Sequence, residues 1–261
     1  MLSARNLVVI FGACLISGTA FAQDAQPALD SPLAAKPKAS ETVLPPLKPE
    51  ERGDVYMARK MYREAIETYQ QAPQDSAVVL NKMGIAYHQM LDLDAAMKRY
   101  RRAIKLDASY PEAVNNLGTI YYAQKRYSRA TTCYKRALKL APGSASIYSN
   151  LGTAYFAVKR YKEAWVAYNT AIQLDPEVFE HHSTYGVLLQ ERTVDERARF
   201  HYYLAKIYAK KGQNDRALQY IRKALEEGFT DRKKFLQDPE FAAMRDLPEF
   251  KELLKLEPKV L

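Results

Sequence analysis

The sequence predicts an all-α chain, an α-solenoid of stacked helix-turn-helix repeats that ends in a short C-terminal helical cap. Two observations carry this. Apolar and small residues recur at helical spacing, each stretch giving one apolar face. The whole pattern then returns at a constant interval, with Gly84, Gly118 and Gly152 each 34 residues apart.

The N-terminal residues read as a targeting segment. Arg5 is the only charge before Asp24, and Leu7–Ala22 is the apolar run LVVIFGACLISGTAFA. Ala20-Phe21-Ala22 fits the small-x-small pattern of a secretory cleavage site, so residues 1–22 are expected to be a signal peptide removed before Gln23. The 16-residue run is shorter than the roughly 20 residues a spanning helix needs, which favours cleavage over anchoring. Lipid attachment through Cys14 is a weaker option, because Phe11 is an unusual lead-in. The expected location is exported, either periplasmic or secreted. Residues 23–48 scatter Pro27, Pro32, Pro37, Pro45 and Pro46 among Ala, Ser and Lys. Such a segment has little to bury and reads as a tether. Cys133 is the only cysteine beyond residue 22, so the processed monomer has no internal disulfide to form. In a helical pattern it reads as a small packing residue.

The repeat region follows. Besides the glycines, Tyr87, Tyr121 and Tyr155 keep the 34-residue step, as do Ala96, Ala130 and Ala164. Tyr100, Tyr134 and Tyr168 keep it too, and so do Ala103, Ala137 and Ala171, while Pro142 and Pro176 close two units. Glycine inside a helix costs about 1 kcal/mol relative to alanine, so its recurrence needs compensation. A missing side chain lets the paired helix approach closely, and the tyrosines fill the space between units. One unit cannot bury these faces alone, whereas stacked units share a continuous core.

This register resembles the tetratricopeptide repeat, whose signature runs Leu-Gly, Tyr, then Ala, an aromatic and Pro. The match covers three full repeats from Ala77 to Pro176. Gly53, Tyr56, Ala65, Tyr69 and Ala72 extend it upstream, and Ala205, Tyr208, Ala217, Ile221 and Ala224 downstream. The resemblance implies a right-handed solenoid over 49–229, in units of about 46–76, 77–110, 111–144 and 145–178, an irregular 179–197, and 198–229. Gly186 starts a fifth unit on schedule, but its second helix does not follow. Instead Thr193 and Glu196 form a capping-box signature for a new helix from Val194 to about Lys211. That helix is either inserted out of phase or the remnant of a decayed unit. Residues 230–261 carry Phe235, Leu236, Phe241, Met244, Phe250, Leu253 and Leu254 between Asp238-Pro239 and Leu247-Pro248. Frequent apolar residues at a solenoid's end read as a cap, with a mobile effector tail as the rival.

No phosphate loop, His-Glu-x-x-His, Gly-x-Ser-x-Gly or paired-cysteine signature is present in the sequence. His181 and His182 point about 100° apart on a helix, and zinc sites usually recruit more ligands than a pairing with His201 supplies. The expectation is a non-enzyme without metal or cofactor. Residues 77–176 hold 15 Lys and Arg against 6 Asp and Glu, so nearly all the basic excess lies in the best-formed repeats. Arg99, Arg102, Arg136 and Lys139 mark this basic face. It reads as a solvated surface or as a contact for an anionic envelope polymer or membrane surface; export disfavours nucleic acid. The resemblance implies that first helices line a concave groove presenting Asn81, Ile85 and His88, then Asn115, Thr119 and Tyr122, then Ser149, Thr153 and Phe156. It implies a protein or peptide partner there. The positions where a carboxylate clamp would need cations hold Asn81, Ile85, Glu112 and Glu180, so that clamp is absent. The oligomeric state is not readable.

Overall fold

Ser76 and Asp92 show how local sequence starts these helices: their side-chain oxygens accept the Val79 and Ala95 N–H groups at 3.3 and 3.0 Å. Pro49 and Pro111 open two others at the first helical position, where no N–H is needed. The computed structural model describes residues 47–180 and 193–256. The signal-peptide expectation for 1–22, nearly all of the 23–48 linker, Gly186, His181, His182 and residues 257–261 lie outside the described residues. Among the described residues the chain is helical, without strands.

Five antiparallel hairpins follow one another. They are α1 (Pro49–Ala58) with α2 (Tyr62–Tyr69), α3 (Ala77–Gln89) with α4 (Leu93–Leu106), and α5 (Pro111–Ala123) with α6 (Tyr127–Leu140). Then come α7 (Ala145–Ala157) with α8 (Tyr161–Leu174), and α9 (Val194–Lys210) with α10 (Asn214–Glu226). Each second helix also packs on the first helix of the next hairpin, and α3 touches α5 as α5 touches α7.

All five hairpin turns share one construction. Their middle residues, Lys60, Leu91, Lys125, Lys159 and Gly212, have φ between 59° and 70°. The following N–H reaches back to the tyrosine-column carbonyl, as Asp92 does to Tyr87 at 3.0 Å and Arg126 to Tyr121 at 2.8 Å. This is the 6→1 bond of a Schellman ending. Only the last turn uses glycine for the left-handed residue.

Inside each of the first four hairpins the glycine column meets a tyrosine. A Cβ on Gly118 would lie 2.7 Å from the Tyr134 ring, and one on Gly152 2.6 Å from Tyr168. The rings of Tyr69, Tyr100, Tyr134 and Tyr168 are fully buried, with alanines at the neighbouring columns allowing the approach. Thus the glycine is kept for close packing and not for backbone freedom.

The described end of the irregular region, from Thr193, starts one helix. The Thr193 hydroxyl accepts the Glu196 N–H at 3.3 Å while the Glu196 carboxylate accepts the Thr193 N–H at 3.1 Å. The helix they start, α9, is also the first helix of the last hairpin, so the expected extra helix and that unit's first helix are the same. Lys210 lies over the Trp165 ring at 4.8 Å, and the Tyr208 hydroxyl donates to the Pro176 carbonyl at 3.1 Å. These contacts tie α9 to the segment around α8.

Beyond α10, α11 (Lys233–Gln237), a 3-10 segment (Pro239–Met244) and α12 (Pro248–Leu253) fold back on the stack. Phe235, Phe241, Met244 and Phe250 are fully buried, which makes this segment a cap; Leu236 stays exposed.

Gly118→Ala is expected to lower unfolding stability, because overpacking costs about 1–3 kcal/mol and exceeds the roughly 1 kcal/mol that alanine returns in helix propensity. Leu91→Gly should act oppositely: Leu91 is 81% exposed at φ 62°, and a left-handed L-residue costs about 1–2 kcal/mol. Urea titrations of both variants beside the parent check the two signs.

Candidate binding surfaces of the repeat stack

The first helices carry most of the polar residues expected to line a groove, and the structure distributes them unevenly. Asn81, Ile85, Asn115, Thr119, Thr153 and Phe156 are buried, while His88, Tyr122 and Ser149 are half-buried. The buried ones are engaged within the fold.

Asparagines form a ladder between first helices. The Asn116 amide donates to Asn81 Oδ1 at 3.0 Å, and the Asn150 amide donates to Asn115 Oδ1, also at 3.0 Å. The Asn115 amide in turn donates to Asn116 Oδ1 at 3.3 Å. The two inter-helix links each span 35 residues, one more than the repeat. At the equivalent place between α1 and α3 stands an ion pair: Lys82 Nζ lies 2.7 Å from both Glu50 and Asp54. At the far end the Tyr202 hydroxyl donates to Asp238 in the cap. Lys206 adds ion pairs to Asp238 and Glu240 at 2.8 and 3.3 Å. Burial would lower the Lys206 pKa, but the Asp238 hydrogen bond and the Glu240 charge override it and the net shift is upward. The cap therefore receives from α9 the kind of link that one first helix receives from the last.

Thr119 and Thr153 have a different task. They follow the glycine column and meet the core tyrosines, with the Tyr134 hydroxyl 3.4 Å from Thr119 and that of Tyr168 3.2 Å from Thr153. Burial pushes the Tyr134 pKa far upward. Phe156 packs edge-on against Tyr161, Phe200 and Tyr203. Among the expected groove rings, Tyr122 remains partly exposed, edge-on to Tyr127 at 5.2 Å. His88, at the same column one repeat earlier, has a pKa lowered by burial.

The basic face is partly tied down. Arg102 donates to the Gln74 carbonyl at 3.2 Å and Arg136 to the Ala108 carbonyl at 3.0 Å, both 28 residues back in the loop before the same hairpin. The Arg99 guanidinium sits over the Tyr87 ring at 5.8 Å. Lys139 is exposed. Cys133 is half-buried, and burial raises its thiol pKa against the pull of Arg136 and Arg101. Among the described residues no group of His, Cys, Asp and Glu is arranged to hold a metal.

Sequence reasoning missed the ladder and the tyrosine–threonine bonds. Their signal was present as Asn81 with Asn116 and Asn115 with Asn150, each 35 apart. A cavity on the α7/α8 hairpin had no sequence signal.

The family model described as "TPR repeat" matches residues 84–125 and 118–159. Models described as "Tetratricopeptide repeat" match 145–178 and 187–231. No curated protein matches the sequence. Among solved structures, a crystal structure of MamA aligns with TM-score 0.47 and 23% identity over 69% of this chain and 96% of that one. MamA 41-end from Desulfovibrio magneticus RS-1 gives 0.48 and 20% over 70% and 94%. The first TPR of Spaghetti (RPAP3) bound to HSP90 peptide SRMEEVD gives 0.39 and 25% over 41% and 88%.

Asn116→Ala is expected to destabilise the fold by about 1–3 kcal/mol, since it leaves buried Asn81 and Asn115 groups unmatched. Lys82→Met, at a partly exposed ion pair, should cost less than about 1 kcal/mol. Thermal unfolding of the two variants orders them.

Proposed function

The chain belongs to the tetratricopeptide-repeat family, and on that premise we propose that it is a protein-interaction scaffold holding an extended segment of a partner across its first helices. The observation that carries this is the set His88, Tyr122 and Ser149. They are the expected groove residues left partly exposed, and they stand on three successive first helices, α3, α5 and α7. The asparagine ladder holds α3, α5 and α7 together, so these side chains are held in fixed places: His88 and Tyr122 share one column, and Ser149 stands in the Asn115 column nearer the start of its helix. A rigid placement lowers the ordering cost of binding. Tyr122 supplies an aromatic anchor, the residue type that dominates interface energetics, and Ser149 and His88 supply polar contacts.

We place this work outside the cytoplasm, in the assembly of an envelope complex. The support is the apolar segment before Ala22 with its small-x-small end. Bond-making chemistry has no part in the proposal. An anionic polymer or membrane bound through the basic face is the less supported reading, because Arg102 and Arg136 are engaged by loop carbonyls.

The test is retention of envelope proteins on the chain Gln23–Leu261 at low and high salt, beside a His88→Ala/Tyr122→Ala variant. The expected result is a defined protein retained at high salt and lost in the variant. Phe156 is left intact because its burial makes it structural. Binding that vanishes with salt yet survives the double substitution would sink the proposal.

A further inference from the structure

The α7/α8 hairpin carries a cavity of about 350 Å³ that its neighbours lack an account of. Tyr148, Leu151 and Tyr155 of α7 and Val166 and Ala167 of α8 form its walls, with Lys162 and Glu163 beside them. The floor is buried: Leu151, Tyr155 and Ala167 are all at most 7% exposed, whereas Val166 forms a lip at 57%.

Comparison with the preceding repeat explains the opening. There Arg101 reaches across to the Tyr121 hydroxyl at 3.0 Å, and the Arg129 guanidinium lies over the same ring at 5.7 Å. One repeat later these positions are Lys135 and Glu163. No described residue hydrogen-bonds the Tyr155 hydroxyl, and Glu163 is drawn off by Arg160 at 2.6 Å. The column that holds Arg99 and then Cys133 becomes Ala167, which removes volume from the floor. A shorter cation, a redirected side chain and a smaller residue together reshape the surface around Tyr155, which stays as buried as Tyr121, at 7% against 8% exposed.

The charge around the cavity selects the occupant. Lys135 Nζ lies 5.6 Å and the Arg160 guanidinium 4.7 Å from the centre of the Tyr155 ring, and Lys162 adds a third cation. Glu163 is the one carboxylate among the lining residues, and it pairs with Arg160, which leaves Lys135 and Lys162 as the cations in excess. A membrane gains from a broad apolar surface, whereas here the apolar area is recessed in one hairpin. We propose that this cavity is a second docking site, which receives a large apolar side chain from an acidic segment of a protein partner.

The volume is at the small end of ligand pockets and suits one anchoring side chain with its neighbour. The cations then meet carboxylates flanking the anchor, the arrangement in which a desolvated apolar centre is ringed by polar contacts.

The experiment is fluorescence anisotropy with the full chain and three labelled peptides. One is acidic with a central Phe-Leu pair, one is acidic with Ser-Ser in its place, and one carries Phe-Leu between lysines. The first is expected to bind at least about ten-fold more tightly than either control. Ala167→Met fills the floor and should weaken that binding by about ten-fold or more. Val166→Glu, at an exposed position where folding is not at risk, should weaken it likewise. His88→Ala/Tyr122→Ala should leave it unchanged, which separates this site from the one on the first helices. Equal binding of the Phe-Leu and Ser-Ser peptides, or tight binding that survives Val166→Glu, would overturn the proposal. So would anionic lipid vesicles captured through Val166 with no peptide bound.

Discussion

Close contact between a helical glycine and a buried tyrosine ring is the constraint on which the rest of this structure depends. In four successive hairpins a Cβ on the glycine would overlap the ring. The contact sets the separation of the two helices, and the ring then fills space that the next unit closes. Everything outward follows from this distance. The turn must be short enough to return the second helix at the right height, and the left-handed middle residue with its 6→1 bond achieves that. Leu91 and three lysines accept backbone strain in those turns because the hairpin geometry leaves no alternative.

Between hairpins the apolar core is supplemented by a polar seam. Buried amides are costly unless paired, so Asn81, Asn115, Asn116 and Asn150 constrain how one first helix sits on the next far more narrowly than apolar contact would. The seam changes chemistry along the stack, from the Lys82 ion pairs through the amides to Tyr202, Lys206 and Asp238. At its end the cap takes the position another repeat would occupy, which explains why Phe235, Phe241, Met244, Phe250 and Leu253 bury without a further repeat.

The same seam decides what remains for binding. Polar side chains that hold neighbouring helices together are not offered to a partner: of the expected groove residues His88, Tyr122 and Ser149 stay partly exposed, while Arg102, Arg136 and Lys139 are exposed on the second helices. Departures from repeat symmetry create the other distinctive surface. Lys135 in place of Arg101 and Ala167 in place of Cys133 accompany an apolar recess beside cations.

The sequence by itself determined the all-α class, the hairpin period, the glycine and tyrosine columns, the capping box at Thr193 and the apolar positions of the C-terminal cap. These follow from short-range geometry: helical periodicity and caps are properties of neighbouring residues, and a column repeated every 34 residues averages over local noise. Tertiary structure alone decided which polar residues on the first helices face outward. Asn115 lies on a helix face that one repeat leaves bare, and the stacked neighbour Asn150 covers it, while Tyr134 of the same hairpin covers Thr119. The reach of Arg102 and Arg136 to carbonyls 28 residues back and the α7/α8 recess were decided in the same way. Each depends on side-chain length across an interface, where an arginine bridges a gap that a lysine leaves open.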